Sequence, residues 1–303
     1  MKVLVTGGAG FIGSHLVEEL VKEHEVTILD NLTTGKEENI AKIKDKIKFV
    51  KGDINDEALL QKTMQGQEVV FHLAAIASVP YSVEKPLETH KINTTGTLRV
   101  LLAARDAKVK RFIYSSSAAV YGDEPTLPKT EQSVLKPQTP YALTKLTGEQ
   151  YTLMFNKLYN METVALRYFN VYGPRQDPKS PYSGVITKFV TALKEGRQPI
   201  IYGDGMQTRD FIFVKDVVQA NIKAMTTKNT GKAFNIATGV QVSVKEMLHC
   251  LNEILKTKIT AKLEPRQPGD ILHSVADITL AKKELGFTPD LPFHEGLELT
   301  IKE

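Results

Sequence analysis

The chain has 303 residues, 42% of them hydrophobic and 24% charged, with a formal net charge of +4. That composition suits an ordinary globular protein with a large core, and a weak positive charge without a Lys/Arg block excludes a nucleic-acid footprint. No apolar run approaches the roughly 18 residues of a membrane span, no signal-type segment precedes the first strand, and the single Cys250 cannot form an internal disulfide, so a reducing, cytoplasmic setting is expected, with Cys250 a packed structural thiol.

In chain order, the apolar runs KVLVTG, EVTILD, IKFVKG, EVVFHLA and RFIYSSS alternate with helix-length stretches, including about 11–22 and 93–107. Short apolar strands separated by helices imply parallel pairing through right-handed crossovers, hence an α/β doubly wound sheet. A long helix is predicted over 141–159, followed by a buried strand at TVALRYF. Beyond it Pro and Gly become denser, and short strands such as PIIYG and AFNIA lie among helices, which predicts a smaller α/β lobe over the sheet. RDFIFVKDVVQANIKAM reads as a strand and helix returning to the first lobe. The predicted division is 1–168 with 210–235 for the sheet domain, and 169–209 with 236–303 for the smaller lobe.

Gly7, Gly10 and Gly13 form a G-x-x-G-x-x-G turn between the first strand and the first helix. Such a turn lets the backbone approach a pyrophosphate, with the helix N-terminus aimed at its charge. Asp30 ends the second strand, where a carboxylate can bind both adenosine ribose hydroxyls and repel a 2′-phosphate. No Arg stands beside it, which favours NAD over NADP. Asp53 and Ile54 close the third strand, where an adenine edge could be held; for Asp53 a simple turn or helix cap before NDEALL is an equal reading.

Two Y-x-x-x-K spacings occur, Tyr81/Lys85 and Tyr141/Lys145. Pro86 biases Lys85 away from helix, so the first pair is predicted to lie in a loop near the pocket. Tyr141 follows Pro140 at a helix start, and residues four apart share a helix face. Lys145 is therefore expected beside Tyr141, its ammonium lowering the phenol pKa and reaching a nicotinamide ribose. Ser117 stands at the carboxyl end of a strand, where open α/β sheets place their chemistry, and can hydrogen-bond a substrate hydroxyl.

GGAGFIGSHL, Asp30, SSSAAVYGD, PYALTK and LRYFNVYGP together resemble the extended short-chain dehydrogenase/reductases, specifically the nucleotide-sugar epimerases and dehydratases, over about 1–290. The resemblance implies a Rossmann domain with tightly held NAD, catalysis by Ser117, Tyr141 and Lys145, and a UDP- or dTDP-sugar substrate. It also implies a homodimer paired through helices near 89–107 and 141–159. Further cofactor contacts implied are Phe11, Ile12, Asn31, Leu73, Ala74, Ala75, Asn93, Ser115 and Tyr168. No metal is expected.

Dehydratases of this family carry Thr-Asp-Glu where this chain has Ser117-Ala118-Ala119. Alanine can neither give nor take a proton, so water loss is disfavoured and 4-epimerisation through a transient 4-keto sugar is expected. Likeness to the UDP-hexose 4-epimerases assigns Asn170 and Arg209 to the diphosphate, Val185 and Ile186 to a nucleotide-contacting loop, Ile201 and Tyr202 to uracil, and Asp270 to the ribose. A surface ion pair with Asp210 is the plain alternative for Arg209. At the second phosphate arginine the chain departs: Gln267 has the usual spacing and Arg266 lies one residue earlier. Ser274 replaces the bulky Tyr of enzymes restricted to UDP-glucose and UDP-galactose, leaving room for an acetamido group near Ser78 and Ser82. Two alternatives remain: a UDP-glucuronate 4-epimerase or decarboxylase, for which no carboxylate site is found, and a non-catalytic NAD-binding sensor.

Overall fold

In the computed structural model, which describes residues 1–177, 184–266 and 271–302, the apolar runs of the first half become the strands of one parallel sheet. In chain order the first half comprises β1 (Lys2–Thr6), α1 (Phe11–Leu20), β2 (Glu25–Asp30), β3 (Ile47–Lys51), α2 (Glu57–Met64), β4 (Val69–His72), α3 (Val79–Glu84), α4 (Pro86–His90), α5 (Thr97–Asp106), β5 (Arg111–Ser117) and α6 (Pro140–Tyr159). A 3₁₀ stretch, Glu37–Lys46, precedes β3, another, Ala118–Tyr121, follows β5, and a π-helical turn, Lys91–Gly96, joins α4 to α5. Next come β6 (Glu162–Tyr168), β7 (Asn170–Tyr172), α7 (Val185–Lys194), β8 (Ile200–Tyr202), β9 (Thr208–Arg209), β10 (Phe211–Phe213), α8 (Val214–Thr226) and β11 (Lys232–Ile236). The chain continues with β12 (Val242–Ser243), α9 (Val244–Leu255), β13 (Lys262–Glu264) and α10 (Phe293–Lys302).

Seven strands pair in the order β11-β6-β5-β4-β1-β2-β3, every neighbour parallel. The order reverses direction between β1 and β4, and the crevice above that switch point is where such sheets bind ligands. The central strands are buried on both faces, which explains their continuous rather than alternating apolar pattern. One face packs Leu16, Val17, Val217 and Ala220 from α1 and α8; the other packs Leu60, Val100, Leu101 and Phe155 from α2, α5 and α6. A third cluster, including Phe189, Ile201, Phe213, Met247 and Leu251, forms the core of the smaller lobe.

α8 packs on α1, and β11 closes the sheet beside β6, while Phe211, Phe213 and Val214 pack in the third cluster. Ile236 completes the β11–β6 ladder, and Ala281, Leu285 and Phe287 join the sheet's own core beside Val217 and Phe234. Their apolar side chains are read equally well as core of either lobe in the sequence; only the topology decides. Tyr81 departs from expectation, lying in helix α3 rather than a loop. Pro86 nevertheless ends that helix, leaving Lys85 at φ −126° and ψ 62° with its ammonium 3.9 Å from Glu84.

Candidate active site

The glycine turn is folded onto itself. Gly7 has φ +72°, and a Cβ there would come within 2.7 Å of the Ala74 nitrogen. A Cβ on Gly13 would overlap the Gly7 carbonyl, whereas one on Gly10 would meet only that carbonyl, at 3.2 Å. The outer face of the turn is therefore open, and the first N–H groups of α1, at Phe11 and Ile12, point out of the helix end. Asp30 closes the turn from β2: Oδ2 accepts from Ala9 N at 2.9 Å and Oδ1 from Leu32 N at 2.8 Å. Burial raises its carboxyl pKa, against those two hydrogen bonds. Asn31 Nδ2 donates to Asp53 Oδ2 at 2.9 Å. Burial pushes Asp53 upward, but hydrogen bonds from Asn55 and Asn31 and the Lys91 charge leave it below the usual carboxylate range. An acid-rimmed, phosphate-accessible turn of this kind fits a dinucleotide. Ile54 sends its side chain into the core, so its backbone alone is available there.

The loop after β4 is held by Asn93, which both accepts from Ile76 N at 2.8 Å and donates to Ile76 O at 2.9 Å. That clamp sets Leu73, Ala74 and Ala75 along the crevice. Ala74 N donates to Thr6 Oγ1, which bonds His72 Nδ1 at 2.7 Å.

The side chains expected to react, Ser117, Tyr141 and Lys145, meet where β5 ends against α6. Thr139 caps the helix by accepting from Ala142 N, Pro140 occupies its first turn, and Ser82 Oγ accepts the Tyr141 N–H at 3.0 Å. The Ser117 hydroxyl stands near the Tyr141 phenol, close enough to favour its ionised form. Lys145 Nζ donates to Ser115 O at 2.7 Å and lies 5.2 Å from the Tyr114 ring centroid. The expected lowering of the Tyr141 pKa does not hold in this arrangement. Burial raises it, with the Ser117 hydrogen bond acting in the opposite sense. Desolvation likewise brings Lys145 down to about 7, because both groups share a dry pocket that penalises their charged forms. Tyr168 donates to Asn221 Oδ1 at 2.9 Å from the neighbouring strand.

In the smaller lobe, Asn170 donates twice to Asp210 O, from its N and from Nδ2, each at 3.1 Å. The Asp210 carboxylate takes Thr238 N and Oγ1, Gly239 N and Ala276 N. Arg209 Nη1 donates to Thr208 O at 2.8 Å, and Ser274 N donates to the same carbonyl at 3.2 Å, so Arg209 and Ser274 are neighbours. β8 pairs with β13, bringing Tyr202 beside Glu264 and the following exposed Arg266. Ile186 and Ile201 turn their side chains into the lobe's core, while Val185 is half-buried at the start of α7. Asp270 and Gln267 lie outside the described residues. Ser78 spends its side chain capping α3, and Ser82 is fully buried, donating to Val79 O at 2.7 Å as well as accepting from Tyr141. The Ser82 hydroxyl is thus engaged by α3 on one side and by the backbone of α6 on the other.

Sequence reasoning missed four polar groups behind the site: His72, Ser116, Glu149 and Arg167. A signal was present for three of them, since His72 and Arg167 interrupt apolar strands and Glu149 repeats the Tyr141–Lys145 interval on the same helix face.

A doubly wound sheet with a glycine turn at its switch point and a Ser–Tyr–Lys cluster where β5 ends against α6 defines a dinucleotide-dependent enzyme of the short-chain dehydrogenase type. The sequence profile of the NAD dependent epimerase/dehydratase family matches residues 3–237, and the chain belongs to that family. It is 40% identical over 307 residues to a UDP-glucose 4-epimerase of Mycolicibacterium smegmatis, spanning 100% of this chain and 98% of the relative. The solved UDP-N-acetylglucosamine 4-epimerase from Methanobrevibacter ruminantium, in complex with UDP-N-acetylmuramic acid, superposes with a TM-score of 0.96 at 42% identity, covering 99% of this chain and 97% of that one. The Thermus thermophilus UDP-glucose 4-epimerase complex with NAD gives a TM-score of 0.91 at 35% identity, with 100% and 98% covered.

Proposed function

We propose that the protein is an NAD-dependent isomerase that inverts carbon 4 of a UDP-hexose, accepting N-acetylated sugars as well as UDP-glucose and UDP-galactose. The observation that carries this reading is the Ser117–Tyr141–Lys145 cluster standing next to Ala118 and Ala119, with no acid or base at those two positions to expel water. The cluster can move a proton to and from a sugar hydroxyl but has no carboxylate beside it at 118 and 119 for dehydration.

The glycine turn, the α1 N-terminus and Asp30 would hold NAD, and Lys145 would reach its nicotinamide ribose. Bound NAD supplies a hydride acceptor and, once reduced, a hydride donor. Tyr141 takes the proton of the 4-hydroxyl and later returns it, while Ser117 orients that hydroxyl. Because the proton and hydride both return, no net oxidation accumulates. Arg209 is suited to the diphosphate by its forked charged donors, with Asn170 and Arg266 beside it and Tyr202 toward the base. Ser274, next to Arg209, leaves space at carbon 2 of the sugar. Exposed Leu87, Leu143, Met154 and Leu158 on α4 and α6 support a homodimer formed by a second copy against these helices.

The test is incubation of purified enzyme with UDP-glucose, UDP-galactose, UDP-N-acetylglucosamine and UDP-N-acetylgalactosamine, with products read by NMR and no reductant added. Both C4 epimers are expected from either starting side, without net NADH. Ser274→Tyr should abolish turnover of the acetylated pair while sparing the plain hexoses. Conversion of UDP-galactose with UDP-N-acetylgalactosamine untouched in the unmodified enzyme would refute the wider substrate range.

A further inference from the structure

Three successive residues of β5 engage three residues spaced four apart on α6. The Ser117 hydroxyl stands near the Tyr141 phenol, the Ser115 carbonyl accepts from Lys145 Nζ at 2.7 Å, and Ser116 Oγ donates to Glu149 Oε2 at 2.6 Å. Positions 141, 145 and 149 share one face of the helix, so the contacts form a ladder along the α6–β5 seam. Its third rung is anchored by charge. Glu149 is 0% exposed and Arg167 3%, and Arg167 donates from Nη2 to Oε1 at 2.6 Å and from Nε to Oε2 at 3.0 Å. Arg167 lies on β6 opposite Ser116 in the sheet register. Its Nη1 continues to the Tyr121 hydroxyl at 2.8 Å, which donates to Asn235 Oδ1 on β11 at 2.6 Å.

A buried ion pair stabilises a fold little better than well-packed apolar residues of the same volume, because desolvating two charges offsets most of their attraction. What it does supply is direction. A forked guanidinium on a two-oxygen acceptor accepts one geometry, where an apolar contact would let α6 slide or roll. The same seam is packed to its limit at Gly148, where a Cβ would overlap the Tyr114 hydroxyl. Neither Ser116, 2% exposed, nor Glu149 reaches the crevice.

We propose that Ser116, Glu149 and Arg167 are positioning residues that fix α6 against the end of β5 and thereby set the alignment of Tyr141 and Lys145 with Ser117. The proposal rests on the proton-transfer role given to Tyr141 above. The titratable and charged groups on the elements around Tyr141 are Lys145 and Glu149 from α6, Tyr114 from β5, His72 from β4 beyond Lys145, Arg167 from β6 behind Glu149, Tyr81 and Glu84 from α3, and Glu88 and His90 from α4. Loosening the third rung moves Tyr141 relative to the Ser117 hydroxyl, the group that favours its ionised form, so phenolate formation shifts to higher pH.

Glu149→Gln would leave a buried guanidinium short of its counter-charge and risks unfolding. Ser116→Ala removes one hydroxyl and is the decisive variant. Unmodified enzyme is first assayed with the four UDP-sugars and NAD; inactivity on all of them would sink the epimerase reading itself, independently of the ladder. On whichever sugar is turned over, Ser116→Ala is expected to lower kcat about tenfold or more with KM changed less than about threefold, as misalignment at the reacting atoms does. The acid limb of its kcat–pH profile should move upward by about half a unit or more. A smaller fall in kcat, or a fall with the acid limb unmoved, overturns the proposal.

Discussion

His72 shows how one side chain can be fixed in a single state. The Thr97 hydroxyl donates to Asn93 O at 2.6 Å, so it must accept from His72 Nε2, which leaves Nδ1 to accept from Thr6. The ring is neutral, and burial together with the Lys145 charge holds its pKa down to about 3. In the unfolded chain the ordinary value of 6.5 returns, so the unfolded state binds the extra proton between these limits. Stability from this group is complete above pH 6.5 and is lost as pH falls toward 3, by about 1.4 kcal/mol per unit. In unfolding titrations His72→Gln should flatten that slope by close to one proton; an unchanged slope would mean the ring is already charged in the folded state. The trio Ser117, Tyr141 and Lys145 was legible in the sequence because its residue types and spacing state its chemistry. His72 and Ser82 were not, since their roles depend on partners that only folding brings near: Thr97 for one, Tyr141 for the other.

At the scale of elements, α6 is the piece whose placement matters most, and Gly148 is what allows its approach to β5. Gly148→Ala would drive a methyl carbon to 2.7 Å from Tyr114 Cζ. Overpacking of this kind costs about 1–3 kcal/mol, and a fall in Tm of roughly 2–4 °C per kcal/mol is expected by calorimetry. A Tm equal to that of the unmodified protein would show that the seam has slack. The strands and long helices could be read in advance because period and capping are local properties: Thr139-Pro140 starts α6, and Asn160, in the left-handed region at φ 52°, ends it. The break of the predicted helix near 93–107 into a π-helical turn and α5 could not, as Asn93 is wound out of α-helical register where it clamps Ile76, a contact distant in sequence.

Across the whole molecule, residues 174–177 strap the two lobes together over the glycine turn. Pro174 O meets His15 Nε2 at 3.0 Å, Arg175 pairs with Glu18 at 2.5 Å and donates to Asn39 O, and Asp177 pairs with Lys36 at 3.2 Å. Asn39 in turn donates to Ala9 O inside the turn. Arg175→Ala should speed NAD release about tenfold, equivalent to roughly 1.4 kcal/mol, as followed by cofactor fluorescence in stopped flow; an unchanged release rate would show that the strap does not retain the cofactor. The interleaving of the lobes was visible in the sequence at RDFIFVKDVVQANIKAM, but the return of Ala281, Leu285 and Phe287 to the sheet's core was not. One result of that interleaving concerns synthesis. β6 leaves the ribosome long before its neighbour β11, and Asn235, the partner of Tyr121, arrives with β11. Until then the nascent chain carries an unpaired apolar strand edge, the kind of surface that chaperones recognise and that aggregates join. The stretch of translation between residues 168 and 236 is therefore the interval in which this protein most needs protection.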